Sequence, residues 1–430
     1  MAPIHEKGKP AARRGRKTTG LLPSRGSRAT ERSTIEHTRK DFIALAASAS
    51  LAAGSLLFGG LPERRAAAHE GMSTEVTNAL EHQTYDMFSE WFSWLRRAGV
   101  PGYLGEHGVP NSQKGWPPEE VNKWLTLFEK VYRLLDQNAT LITMVTAHVA
   151  SHTTTGTNGL KIYGPDRDDV PLDQRNFAAA FEQAAVVEAH GPTATSLRGM
   201  NASAGAFTHI GFSVASPGTY GRHYVYPDRA DFEYLRSRGH NLTRVPFRWE
   251  RVQPQLNKPL NSAELDRLKS CFDGAAAVGM RVIPSLQNYG AYFFGEQDYK
   301  DIGSPELPIS AYKNLWTQLA RVWKDHPAVV GYDIMNEPYD LPGGVPTWEK
   351  ASRAAVDGIR GRDANTRVWV SGYHKRQGTG HGLYAFVLNH PRPWISGSRV
   401  GYTSHAYYGP GAAYPNLYDD VVAYWERRGY

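Results

Sequence analysis

From residue 69 onward the chain repeats one pattern: a short run rich in β-branched and apolar residues, then a longer stretch of amphipathic, helical spacing. Eight such runs occur, at 102–105, 141–145, 198–201, 241–245, 281–286, 329–334, 367–370 and 400–403. Between them lie amphipathic stretches at 85–98, 119–136, 230–239, 263–278, 311–325 and 348–359. Alternation of this kind requires parallel strands, because a crossover long enough to hold a helix brings the next strand back in the same direction. Eight strands with intervening helices predict an α/β fold, a (β/α)8 TIM barrel. A doubly wound open sheet is the alternative, and no G-x-G-x-x-G after a strand supports it. Residues 151–196, rich in Thr, Gly, Asn, Pro and Asp, are expected to form one long connection with a short helix near 177–188.

Charge separates the chain into two parts. The formal balance is +7, but residues 1–68 alone carry 13 Lys/Arg against 5 Asp/Glu, which leaves the remainder at −1. A nearly neutral folded part argues against a nucleic-acid partner. A polar, basic segment up to residue 41, an apolar run from Phe42 to Leu61, and Ala66-Ala67-Ala68 predict a signal peptide cleaved after Ala68. Thr38-Arg39-Lys40-Asp41-Phe42-Ile43 is similar to a twin-arginine export signal with Lys at the second Arg. The apolar run is mostly Ala, Ser and Gly, so a permanent membrane anchor is the weaker reading, and a disordered tail is the remaining one. The expected organisation is a leader over 1–68 and one domain over 69–430, with a secreted, extracellular product and no stable membrane association after cleavage. A single cysteine, Cys271, forbids an intrachain disulfide and is expected to be buried.

The reacting groups of such barrels sit where strands end. Here several strands run into polar residues: Asn336-Glu337-Pro338, Glu106-His107-Gly108, His405-Ala406-Tyr407, and Gln287-Asn288-Tyr289, with Arg244 one residue inside the end of another. Two carboxylates on different strand ends are what glycoside hydrolysis requires, one held protonated and the other ionised. Arg244 beside one carboxylate would keep that one charged. Aromatic side chains near strand ends, among them Trp249, Tyr289, Tyr292, Trp348, Trp394 and Tyr408, offer faces on which sugars stack, whereas Trp316 and Trp323 lie at helical spacing and are expected in the core. No H-E-x-x-H or comparable metal spacing occurs, and no metal or cofactor is expected.

The segment Tyr332-Asp333-Ile334-Met335-Asn336-Glu337-Pro338 resembles the acid/base strand of the cellulase family of glycoside hydrolases, family 5 of the clan that uses two strand-end glutamates. Arg198-Gly199-Met200-Asn201, Asn241-Leu242-Thr243-Arg244-Val245-Pro246, His405-Ala406-Tyr407 and Tyr103-Leu104-Gly105-Glu106-His107-Gly108 agree with it. Their order departs from the family, where the R-G-x-N strand comes first and the G-E-x-G strand seventh. The resemblance therefore implies a circularly permuted barrel whose strands run 7-8-1-2-3-4-5-6 along the chain. It also implies roles. Glu337 would be the general acid/base and Glu106 the nucleophile, and Asn336 would touch the sugar 2-hydroxyl. Arg244 and Tyr407 would align Glu106, and His405 would bond substrate or Glu337. Gln287 and Asn288 stand where the family has His-Asn, and Trp249 is a further candidate substrate contact. Leu141–Val149 lacks the Trp that the family places under the reacting sugar, with Met144 or His148 in that neighbourhood.

The implied activity is a retaining glycoside hydrolase cleaving a β-glucan or a related oligosaccharide. A carbohydrate-binding barrel without hydrolysis is the alternative, favoured by Gln287 and the missing Trp. The chain is expected to be a monomer or a strand-exchanged dimer in which segment 69–150 completes a neighbour's barrel.

Overall fold

The computed structural model describes residues 74–108, 129–150, 197–202, 205–206, 213–373, 382–397 and 399–407. The leader, the 151–196 connection and residues 408–430 lie outside the described residues. In chain order the strands are β1 (Gly102–Gly108), β2 (Ile142–Ala150), β3 (Leu197–Ala202), β4 (Leu242–Phe247) and β5 (Arg281–Leu286). A hairpin of β6 (Ala291–Phe293) and β7 (Tyr299–Asp301) follows, then β8 (Gly331–Asp333), β9 (Arg367–Ser371) and β10 (Val400–Tyr407). All strands except β6 and β7 pair in parallel, in chain order, and the ring shuts where β1 pairs with β10. This closure excludes the open doubly wound sheet and gives the expected eight-stranded barrel. Helices Thr74–Ala98, Arg229–Ser237, Ser262–Ala277, Ile309–Trp323, Val345–Arg360 and Leu383–Asn389 lie between or before the strands. Two of them start at side-chain caps: Asp228 accepts from the Ala230 and Asp231 amides, and Asn261 from those of Ala263 and Glu264.

Period-two alternation sorts the side chains. One apolar set, including Leu104, Val145, Val245, Val282, Val368 and Tyr402, packs with the helices, where Trp316, Trp323 and Cys271 are also buried. A second set, Tyr103, Met144, Leu242, Ile283 and Trp369, forms a separate buried cluster, with the Tyr103 and Trp369 rings 5.4 Å apart. Two residues further along three of these strands the same face turns polar: Arg244 follows Leu242, Ser285 follows Ile283, and Thr146 follows Met144. The apolar cluster is thus a floor, and the polar layer stands on it toward the carboxyl ends of the strands. Two glycines allow close approach in this region. A Cβ on Gly199 would lie 1.6 Å from the Leu242 carbonyl oxygen, and one on Gly105 would lie 2.6 Å from Thr403 Oγ1 and 3.0 Å from His405 Nε2.

Candidate active site

Tyr103 and Glu106 are three residues apart, so an unbroken strand would turn them to opposite faces. The pairing of β1 with β10 skips a residue between Leu104 and Glu106, a bulge at Gly105. The extra residue re-aims Glu106 to the side that Tyr103 occupies. The Gly105 carbonyl is held by Thr146 Oγ1 and by Asn201 Nδ2, the latter at 3.0 Å. Thr146 in turn accepts from the Tyr103 hydroxyl at 2.7 Å. The next residue, His107, has Nδ1 2.9 Å from the Thr146 carbonyl and Nε2 2.9 Å from the Tyr132 hydroxyl. A carbonyl only accepts, so Nδ1 carries a proton.

Arg244 is the hub of the polar layer and has no exposed surface. Its Nη1 donates to Glu106 Oε1 and, at 2.9 Å, to Asn201 Oδ1. Its Nη2 donates to Asn336 Oδ1 at 2.6 Å. Nε donates to Asp333 Oδ2 at 2.8 Å, and Nη2 lies 2.7 Å from the same oxygen. Burial alone would lower the proton affinity of the guanidinium, but the carboxylates of Asp333 and Glu106 outweigh it and hold Arg244 above the usual arginine value. Arginine has no acceptor, so the amide atoms facing it on Asn201 and Asn336 are oxygens, and the Asn336 NH2 remains as a donor.

Glu337 follows Asn336 with φ +40°, a left-handed conformation that costs a non-glycine residue about 1 kcal/mol or more. Its Oε1 shares a 2.7 Å hydrogen bond with His405 Nδ1, which is also 3.8 Å from Glu106 Oε2. An oxygen of each glutamate and a nitrogen of His405 lie within 4.8 Å of one another. The 2.7 Å contact makes His405 and Glu337 a hydrogen-bonded couple. Tyr289, also left-handed at φ +55°, feels the charges of both Glu337 and Glu106. Burial first, then those two charges, pushes its phenol above the usual tyrosine value, so the hydroxyl stays protonated.

The structure therefore brings Glu106, Glu337, Arg244, Asn336 and His405 into one cluster. Gln287 borders it: Nε2 donates to the Tyr289 hydroxyl at 3.4 Å, and Oε1 has no hydrogen-bond partner among the described residues. Asn288 and Trp249 are not part of it. Asn288 Nδ2 donates to Glu250 Oε1 at 2.7 Å and to the Ala291 carbonyl at 3.0 Å, while Oδ1 accepts from the Trp249 amide at 2.9 Å. Those bonds use its amide to shape the turn after β5. Trp249 is fully buried, its Nε1 donating to Gln253 Oε1 at 3.0 Å and its ring packed edge-on to Tyr292. The short helix Trp249–Val252 turns this ring into the core, which corrects its expected place among the substrate contacts. Tyr292, Trp348 and Trp394 are buried as well. The Tyr407 and His148 side chains lie outside the described residues, as does Tyr408, and Met144 belongs to the apolar floor.

Two residues of the cluster carried no assigned role in the sequence. Asp333 is fully buried and bonded to Arg244 and, at 2.8 Å, to the Ser285 hydroxyl; Asn201 links Arg244 to the bulge. A carboxylate inside an apolar run, on a strand two removed from an equally isolated Arg244, is the signal that points to the first.

The fold and this cluster together define a (β/α)8 barrel with a polar site at the carboxyl ends of its strands. The chain belongs to the cellulase family, glycosyl hydrolase family 5, whose family model matches residues 189–423. That stretch contains Arg244, Asp333, Asn336, Glu337 and His405; Glu106 lies before it. Among known proteins, a manganese dependent endoglucanase of Phanerodontia chrysosporium is 32% identical over 164 residues, covering 37% of this chain and 40% of its own length. Endo-beta-1,4-glucanase B of Emericella nidulans is 29% identical over 157 residues, with 36% and 44% covered. The chain thus spans less than half the length of these relatives. A solved structure of Pseudomonas stutzeri endoglucanase Cel5A with cellobiose is 38% identical, covering 44% of this chain and 54% of that one, at a TM-score of 0.40.

Proposed function

We propose that the protein is a retaining β-glycosidase that cleaves a β-1,4-linked glucan. The observation that carries this is the meeting of Glu106 and Glu337 within 4.8 Å, with Arg244 on the first and His405 on the second. Glu337, as the acid, gives its proton to the glycosidic oxygen as that bond breaks. Glu106, ionised beside Arg244, attacks the anomeric carbon and forms a glycosyl ester. A water then gives its proton to Glu337 and attacks the same carbon, and the ester bond breaks. Two inversions leave the configuration unchanged, as expected for carboxyl groups about 5 Å apart. Asn336, with its oxygen held by Arg244, presents its NH2 to the sugar 2-hydroxyl. Gln287 does not titrate, so it can orient substrate but cannot carry a proton.

Names of the relatives favour an internally cleaving β-1,4-glucanase, and a glucan is an extracellular substrate, in keeping with the basic and apolar leader. No helix among the described residues is long and apolar enough to cross a membrane. The barrel is further proposed to be a circular permutation of the family's order, with β1 and β2 taking the places of its last two strands. Incubation with a soluble β-1,4-glucan, followed by proton NMR of the first sugar released, tests the reading. The β anomer is expected, and Glu106→Gln and Glu337→Gln should each lower kcat by about a thousandfold or more. The α anomer, full activity in either variant, or binding of the glucan with no sugar released would refute it.

A further inference from the structure

Arg244 is asked to do two things that conflict. A buried guanidinium next to Glu106 keeps that carboxylate ionised, but a carboxylate held by an uncompensated cation is a poor nucleophile, since the charge it must give up in attack is the charge the cation stabilises. We infer that Asp333 is a positioning residue that resolves this conflict by sharing the guanidinium with Glu106. This rests on the hydrolytic reading above, in which Glu106 is the nucleophile.

The geometry carries it. Asp333 has no exposed surface and receives Arg244 Nε at 2.8 Å, with Nη2 2.7 Å from the same oxygen. The Ser285 hydroxyl donates to that oxygen at 2.8 Å. One edge of the guanidinium is thereby locked on Asp333, which aims the Nη1 corner at Glu106 and Asn201. Asp333 does not touch the reacting atoms. It balances the charge of Arg244, so that Glu106 meets an oriented hydrogen-bond donor without the pull of a full unshared cation.

Other ionisable groups face these two carboxylates. Glu106 has His405 from β10, Glu337 from the segment after β8 and Tyr289 from the loop after β5. Tyr103 on β1 is near both carboxylates, and Tyr312 on helix Ile309–Trp323 is near Asp333. The three tyrosines are raised above their usual range by burial and stay neutral. His405 and Glu337 are the same in the wild type and in the variant below.

The test is the pH profile of kcat/KM for Asp333→Asn, with near-ultraviolet circular dichroism to confirm folding. Removing one charge at roughly 7 Å in a medium of effective dielectric about 20 should move the acid limb, where Glu106 takes up a proton, down by about 1–2 pH units. A merely structural role predicts the reverse: a loosened Arg244 would withdraw from Glu106, and the limb would rise. A limb that rises or stays put in a folded variant overturns the inference while leaving the hydrolytic reading intact; an inactive wild type would refute that reading instead. Should Asp333→Asn fail to fold, Asp333→Glu keeps the charge on Arg244: its acid limb should stay at the wild-type pH, and a limb that rises overturns the inference.

Discussion

Replacing Arg244 with lysine keeps the charge and removes the fork. The guanidinium has five N–H groups, and its contacts with Glu106, Asn201, Asn336 and the twice-approached Asp333 use that capacity. An ammonium has three N–H groups, so at least two of these contacts are lost. The partners are buried, and each unmet one costs about 1–3 kcal/mol. The sum, about 2–6 kcal/mol, divides between the folded state and the transition state. Asn336 and Glu106 are the groups that would meet the sugar, so much of the loss should fall on the reaction. Arg244→Lys is therefore expected to lower kcat/KM on a soluble β-1,4-glucan by about a hundredfold or more, with a fall in Tm of a few degrees. Steady-state kinetics and a thermal melt on the same preparation measure both. A variant within threefold of wild-type kcat/KM and within 1 °C (roughly the resolution of a melt) of its Tm would show that the fork is not what organises the site.

Two further outcomes follow from burial. Trp249→Phe should lower stability by about 1–2 kcal/mol in denaturant titration yet leave KM within about twofold, because the ring has no surface to offer a sugar; a large rise in KM with unchanged stability would contradict its placement. His390 is lowered below its usual value by burial and is bonded through both nitrogens, accepting from the Tyr373 amide at 2.9 Å and lying 3.0 Å from Glu349 Oε1. The unfolded chain then binds a proton that the folded one refuses, so stability is full above about pH 6.5 and falls as pH drops below it, by at most about 1.4 kcal/mol per pH unit. His390→Gln should remove that part of the slope of stability against pH between about 6.5 and 5, and an unchanged slope would exclude His390 as its source.

What could be seen in the sequence divides along physical lines. The eight barrel strands were legible because each is a short apolar run between amphipathic stretches, and β5 begins and ends where its run does. Glu337, Asn336, Arg244 and His405 stood out as polar groups at or near strand ends. Glu106 was found through its motif, but the bulge that turns it inward could not be anticipated from period two alone. Trp249 and Asn288 misled for a common reason. Position at a strand end says which end of the barrel a residue is near, not whether its side chain turns out or in, and a single turn of helix or three inward hydrogen bonds settles that. Asp333 stood out only as a carboxylate inside an apolar run; its partner is 89 residues away, so no local pattern could say what it serves.

The seam between β1 and β10 has a consequence in time. Glu106 leaves a ribosome nearly 300 residues before His405, and each rides on one lip of the same seam. Until those lips zip together, Arg244 and Asp333 can find each other while the Glu106 carboxylate stays elsewhere. On the proposed reaction, sugar release would require the whole circle to be completed, and any partly assembled molecule would be silent.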